Sequence, residues 1–225
     1  MILQGDNILK QYRHYGGLIN ALDHVSFNVQ KGDFVTVTGP SGSGKSTLLL
    51  SLFGLIRLTS GSVLFDGKRI DNLNDRQLTN IRRESVGYIL QSFALIPYLT
   101  TIQNVMIPLA LETIPGKEQL KRASEILDYV GLSDRKEHLP RELSAGQQQR
   151  VAIARSIVHR PQIIMADEPT GNLDPALSLE ILEFLAKINR ENRITIIMVT
   201  HSPVAANFGT MKLHLYDGKI VESIN

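Results

Sequence analysis

The sequence predicts an α/β fold with a parallel-sheet core, an antiparallel β part and a helical subdomain. Three observations carry this. The stretch Gly39-Pro40-Ser41-Gly42-Ser43-Gly44-Lys45-Ser46-Thr47 stands between an apolar, β-prone run, Phe34 to Thr38, and a segment of helical character, Leu48 to Ile56. Two further apolar runs, 162–166 and 194–200, read as strands buried on both faces, with a helix over 176–192 between them. Between 92 and 158 the pattern is mostly helical.

In chain order, Ile2 to Tyr12 and His24 to Val29 are strand candidates, the latter alternating Val25, Phe27 and Val29. Lys31-Gly32-Asp33 is a turn, and Gly61 to Ile70 reads as a strand pair about Asp66-Gly67. Val86 to Leu90 is a short strand ending at Gln91. Helical pattern then runs from Thr101 to about Glu137, with Leu120, Ala123, Ile126, Leu127 and Val130 on one face and Gly131 as a stop. Pro97, Pro108, Pro115 and Pro140 punctuate this part. A strong helix is expected over Gln148 to Val158. In 176–192 the core face is Ile181, Leu182, Leu185 and Ile188, and Lys212 to Glu222 closes as a hairpin turning at Asp217-Gly218. Alternating strands and helices place a ligand at the carboxyl ends of the strands. The expected organisation is one domain, 1–225, whose core is 1–91 and 159–225 and whose helical subdomain is 92–158.

Composition bounds the function. At 225 residues and 43% hydrophobic the chain builds a sizeable core. Its 24 basic and 22 acidic residues nearly balance, which gives no electrostatic case for nucleic acid or an anionic membrane. There is no cysteine, so disulfide and thiolate chemistry are excluded. No apolar run approaches the roughly 18 residues of a membrane span. Met1-Ile2-Leu3-Gln4-Gly5-Asp6 lacks the charge and apolar core of a signal peptide. A membrane role is therefore expected to go through a partner.

The stretch 39–47 fits G-x-x-x-x-G-K-[ST] in the strand–loop–helix context that this phosphate-binding pattern requires. Glycines let successive N–H groups face one point, and the helix beginning near Lys45 adds its positive dipole end. Lys45 supplies a full charge to β- and γ-phosphates, and the Ser46 hydroxyl can ligate Mg²⁺. Asp167 and Glu168 end the buried run 162–166. Behind a phosphate loop, Asp167 is expected to complete the Mg²⁺ shell, while Glu168 can orient a water in line with the γ-phosphate and take its proton. Without that loop they would read as two solvated acids at a strand end. His201 ends the neighbouring run in the same way and is expected to contact the γ-phosphate. Leu143-Ser144-Ala145-Gly146-Gln147 precedes a helix; its small residues and Ser144 suit either an ordinary helix cap or an anion site, and the residues alone leave these level.

Taken together, these motifs resemble those of an ATP-binding-cassette ATPase, in the family's order and over nearly the whole chain. The resemblance implies a phosphate-loop core of RecA-like type and ATP with Mg²⁺ as ligands. It implies that Gln91 links Mg²⁺ and the attacking water to the helical subdomain. It makes 143–147 the family signature, with Ser144, Gly146 and Gln147 on nucleotide, and Asp167 and Glu168 the metal acid and catalytic base. Asn172-Leu173-Asp174 resembles the loop that crosses a dimer interface, His201 the switch histidine, and Tyr12 the aromatic that stacks on adenine, with Tyr15 competing. Ala145 departs from the usual glycine, which limits backbone freedom. The segments 166–174 and 147–155 resemble the branch containing the lipoprotein-release ATPase LolD, the exporter MacB and the division protein FtsE. The implied partners are a second copy, head to tail with ATP between, and an integral membrane permease that holds the chain at the cytoplasmic face of the membrane. Export or lipoprotein release is expected, with FtsE-like mechanical signalling the alternative and a soluble ATPase of the superfamily the least favoured reading.

Overall fold

The computed structural model describes residues 1–15 and 17–224. The centre of the molecule is a six-stranded sheet, and its middle is built from the apolar runs of the sequence. Strand β3 (Phe34–Thr38) lies between β8 (Thr195–Val199) and β9 (Met211–Tyr216), with β7 (Ile163–Asp167) and β6 (Val86–Ile89) beyond β8. These pairings are parallel; β10 (Lys219–Ile224) adds to β9 as an antiparallel edge. Side chains alternate across the sheet. Val35, Val37, Ile163, Met165, Ile197 and Val199 enter one core, and Phe34, Ile164, Ala166, Ile196 and Met198 the other. Strands buried on both faces need no polar alternation, hence their continuous apolar sequence.

The first core is closed by a four-stranded antiparallel sheet, in the order β2-β1-β4-β5, and by α1 (Lys45–Ser51). Its strands are β1 (Leu3–His14), β2 (Gly17–Val29), β4 (Ser60–Phe65) and β5 (Lys68–Arg69). The first hairpin runs further than the sequence predicts. The ladder continues through Gln11↔Asn20 and Tyr12↔Ile19 to His14↔Gly17. Register shifts along it, and the left-handed backbone of His24 (φ 56°), break the alternation that marks a strand. Leu48 to Ile56 is not one helix: α1 stops at Ser51, and Gly54 turns the chain at φ 67°. A helix that the sequence analysis left out, α2 (Asp75–Ser85), starts at a reciprocal cap between Asn74 and Gln77 and buries only Leu78.

The second core holds α6 (Pro175–Asn192), where Ile181, Leu182, Leu185 and Ile188 are buried as its spacing predicts. A third cluster joins α3 (Thr101–Ala110), α4 (Gly116–Tyr129) and α5 (Ala145–Ile157) through Val105, Leu109, Ala123, Leu127, Val130, Val151 and Ala154. The long helical pattern after Thr101 is thus two helices parted at Pro115, and Gly131 (φ 77°) stops the second. Leu120 departs from the predicted face, being half exposed on α4 (50%). Helix α5 starts at Ala145, three residues before the expected Gln148, because Ser144 and Gln147 cap it reciprocally. A four-residue helix, α7 (Pro203–Ala206), follows β8. Among the described residues no helix is long and apolar enough to cross a membrane.

Candidate ATP site

The phosphate loop leaves β3 at the middle of the sheet, and its curl rests on glycines. Gly39, Gly42 and Gly44 have φ of 144°, 79° and 101°. A Cβ on Gly39 would lie 2.0 Å from the Leu215 carbonyl oxygen, and one on Gly44 2.2 Å from that of Ala21. Both positions therefore exclude any side chain, for reasons of backbone and of space. Gly44 is also the cap residue of α1 and offers no side chain to the first N–H groups, which stay available to an anion. Lys45 is only 8% exposed. Its Nζ donates to the carbonyls of Gly39 and Pro40 at 2.9 and 2.8 Å, which holds the ammonium against the loop. Ser41, Gly42, Gly44, Lys45, Ser46 and Thr47, with Ala21, Glu168 and His201, line one cleft of about 360 Å³.

Strand parity sets the two acids apart. Ile163 and Met165 point to the α1 side of the sheet, and Asp167 continues that series to meet Ser46, whose Oγ donates to Asp167 Oδ1 at 3.2 Å. Burial pushes the Asp167 carboxyl above its ordinary range; the Ser46 hydrogen bond acts against this, the Glu168 charge with it. One residue on, Glu168 has left-handed backbone (φ 48°), and its N–H donates to the Val199 carbonyl at 3.0 Å. That turn carries its carboxylate to His201 Nδ1, with which it pairs. Three adjacent strand ends, those of β3, β7 and β8, thus bring together Lys45, Ser46, Asp167, Glu168 and His201.

Other expected residues lie apart from this cleft. Gln91 follows the end of β6, and its backbone carbonyl accepts from Asn172 Nδ2 at 2.8 Å. Asn172 belongs to the loop 172–174, whose Asp174 caps α6 by accepting from Ala176 and Leu177 N–H. Ser144, Gly146 and Gln147 do not line the phosphate cleft. They form the start of α5, where Gly146 is buried and a Cβ on it would meet Leu177 at 2.6 Å. Ala145, by contrast, is exposed as the first helical residue, so its methyl costs no strain within the subunit.

The two tyrosines separate by position. Leu22 packs towards Gly44 and pairs with Lys10 across the hairpin; Tyr12 lies two residues along β1, beyond a register shift, and is opposite Ile19. Lys10 Nζ lies 4.8 Å from the centre of the Tyr12 ring. Tyr15 is in the turn beyond the ladder and fully exposed.

Sequence reasoning missed several residues that hold the site's surroundings. Arg155 donates to the carbonyls of Phe93 and Ala94, whose φ are 58° and 49°. Asn104 is buried and bonds both the N–H and the carbonyl of Ile96, and the carbonyls of Leu99 and Thr100. Gln149 is buried against Pro169. Polar residues on mostly apolar helices were the available signal.

Comparison with known proteins places this geometry. The family model described as ABC transporter matches residues 22–171. An ABC transporter ATP-binding protein of Thermotoga maritima is 46% identical over 202 residues, covering 90% of this chain and 86% of the relative. The lipoprotein-releasing system ATP-binding protein LolD of Aquifex aeolicus is 42% identical over 223 residues, covering 99% and 97%. A dimeric structure of the ATP-binding cassette MJ0796 of Methanocaldococcus jannaschii, in a post-hydrolysis state with ADP and phosphate, superposes with a TM-score of 0.90 at 40% identity, covering 100% of this chain and 98% of that one. With its phosphate loop, acid pair and histidine at three neighbouring strand ends, the chain belongs to the ABC transporter family, as an ATP-binding subunit that hydrolyses ATP.

Proposed function

We propose that two copies of this chain close head to tail around two ATP molecules and that hydrolysis drives a membrane permease of the LolD and MacB type. The observation that carries this is the division of the site. The cleft at the strand ends holds the groups for phosphate, metal and water, while the signature start of α5 lines none of it. A second copy supplies the missing wall; the cassette to which the chain is similar is dimeric and holds ADP and phosphate.

In this reading the loop N–H groups and Lys45 bind the phosphates, and Tyr12 carries adenine. Ser46 and Asp167 fit Mg²⁺: one hydroxyl and one carboxylate, both hard oxygen donors, are what this ion takes when nucleotide phosphates and water complete its shell. When bound, the ion would supply neutralisation of phosphate charge. Glu168 orients the attacking water and accepts its proton, and His201 holds that carboxylate in line. Gln91 and the segment 92–99 pass the state of the γ-phosphate to the permease. The chain would then sit at the cytoplasmic face of the membrane through that partner. The core would be 1–91 and 159–225, with 92–158 moving as the helical part.

Light scattering tests the assembly. Glu168→Gln should convert from monomer to dimer only when ATP is added, and Ser144→Arg in that background should abolish the conversion. A dimer that ignores ATP, or that tolerates Ser144→Arg, would overturn the arrangement.

A further inference from the structure

We propose that Gln149 is a positioning residue for hydrolysis, tying the second turn of α5 to the backbone that carries Glu168. The proposal rests on the reading above, in which Glu168 is the base and the start of α5 seats on the ATP of the second copy.

Gln149 has no exposed surface. Its Nε2 donates to the Pro169 carbonyl at 2.6 Å, and its Oε1 has no partner. The orientation of the amide is set by that carbonyl, since the reverse would place oxygen against oxygen. A buried amide whose oxygen is unpaired is costly on a helix that could carry leucine there. What the amide does hold is the residue directly after Glu168.

Glu168 needs holding. Its left-handed backbone is unfavourable for a residue with a side chain and persists only where the surroundings determine it. The Val199 carbonyl fixes it from the sheet side by accepting its N–H. Gln149 fixes it from the helix side, one residue on. A second contact between the same elements lies at the far end of the loop, where Gly146 packs on Leu177 at the start of α6. The first two turns of α5 therefore touch the segment 168–177 at both ends. A shift of α5 as it seats on one ATP moves the carboxylate that acts on the other, through Pro169.

Three measurements on the full chain test this. Gln149→Leu should lower kcat roughly 10- to 100-fold, the scale of an ångström-level misplacement of a catalytic group, with KM for MgATP unchanged. In the Glu168→Gln background, adding Gln149→Leu should leave the ATP concentration needed for dimer formation unchanged. Gln149→Glu adds a readout that a packing role would not move. Its buried carboxyl favours the neutral form, which donates to the Pro169 carbonyl as the amide does, whereas the ionised form repels it. Turnover near wild type at about pH 6 should fall at least tenfold by about pH 9, with an inflection absent from wild type and from Gln149→Leu.

Wild-type kcat in Gln149→Leu beside an inactive Glu168→Gln would overturn the proposal alone. Loss of the ATP-dependent dimer would do so too, by assigning Gln149 to the signature instead. A Gln149→Glu profile parallel to wild type would remove the tie to Pro169. Retained hydrolysis in Glu168→Gln would overturn the base assignment, and this proposal with it.

Discussion

His201 Nδ1 pairs with the Glu168 carboxylate across the ends of two adjacent parallel strands, β8 and β7. Glu168 is the more enclosed of the two and His201 the more exposed. The imidazole thus lies on the more exposed side of the carboxylate that we propose takes a proton from water. Glu168→Gln keeps the shape of that side chain and removes its basicity, so hydrolysis should fall roughly 10²–10⁴-fold with ATP binding retained. Phosphate release under single-turnover conditions measures this, and near wild-type turnover would move the base elsewhere. His201→Ala should lower kcat while leaving the KM for MgATP within about threefold, since the histidine acts through the carboxylate.

Lys45 is held by two backbone carbonyls of its own loop. Its charge is preset at the mouth of the cleft, and Lys45→Ala leaves phosphate facing backbone dipoles alone. The affinity for MgATP should drop by a factor of about 100 or more, given charge-assisted bonds worth about 1.5–3 kcal/mol each. Equilibrium binding of radiolabelled MgATP reads this directly, and wild-type affinity would remove the phosphate-loop assignment.

Asp167 is an acid raised above its ordinary pKa chiefly by burial. A carboxyl raised in the folded state favours folding below its unfolded pKa, and that contribution is lost as pH rises through the folded pKa. At neutral pH the ionised Asp167 therefore costs stability, which a bound cation would offset. Asp167→Asn should melt higher than wild type at neutral pH without nucleotide, and the gap should close as pH falls through the acid range. The same variant should lose Mg²⁺-dependent turnover. Equal melting temperatures across that window would mean that burial does not strain this group.

Much of this site was legible in the sequence because its residues lie in contiguous stretches. The run 39–47 and the pair at 167–168 each carry their own strand, and the spacing of Ile181, Leu182, Leu185 and Ile188 marked a helix without help from elsewhere. Contacts between distant stretches were not legible. Nothing local tells that Asn172 reaches Gln91, or that Gln149 reaches Pro169. Helix α2 escaped because Leu78 is its only buried residue, too little apolar signal for a periodicity. The far part of the first hairpin escaped because its register shifts break the period of two.

The signature combines a tolerant position with an intolerant one. Ala145 is an exposed first helical residue, where glycine would weaken the helix by up to about 1 kcal/mol. Gly146 meets Leu177, so an added methyl forces that side chain to move. Gly146→Ala should cost about 1–3 kcal/mol of stability, the usual scale of overpacking, and Leu177→Ala should restore a good part of it. Thermal melts of the two single variants and the double variant form the test. Additive losses would show that the contact does not set the preference for glycine.

The final expectation concerns the permease and the segment Phe93 to Leu99, which crosses from β6 to α3 beside Gln91. Its apolar residues have divided roles. Leu95 packs against the helical cluster, and Phe93, Ile96 and Leu99 are half buried. Tyr98 is 77% exposed, next to the exposed Pro97. The backbone between them is fixed from behind by Arg155 and Asn104. A tyrosine presented on a fixed loop is the kind of anchor that interfaces favour, an apolar body with a polar tip. Leu95→Asp would bury a charge against the helical cluster and so mix folding with docking. Tyr98→Asp changes only the exposed surface. The purified variant should melt and bind ATP as wild type does, yet fail to co-purify with the proposed permease when the two are expressed together. Normal co-purification would take Tyr98 out of the interface, and a lowered melting temperature would place the ring in the fold instead.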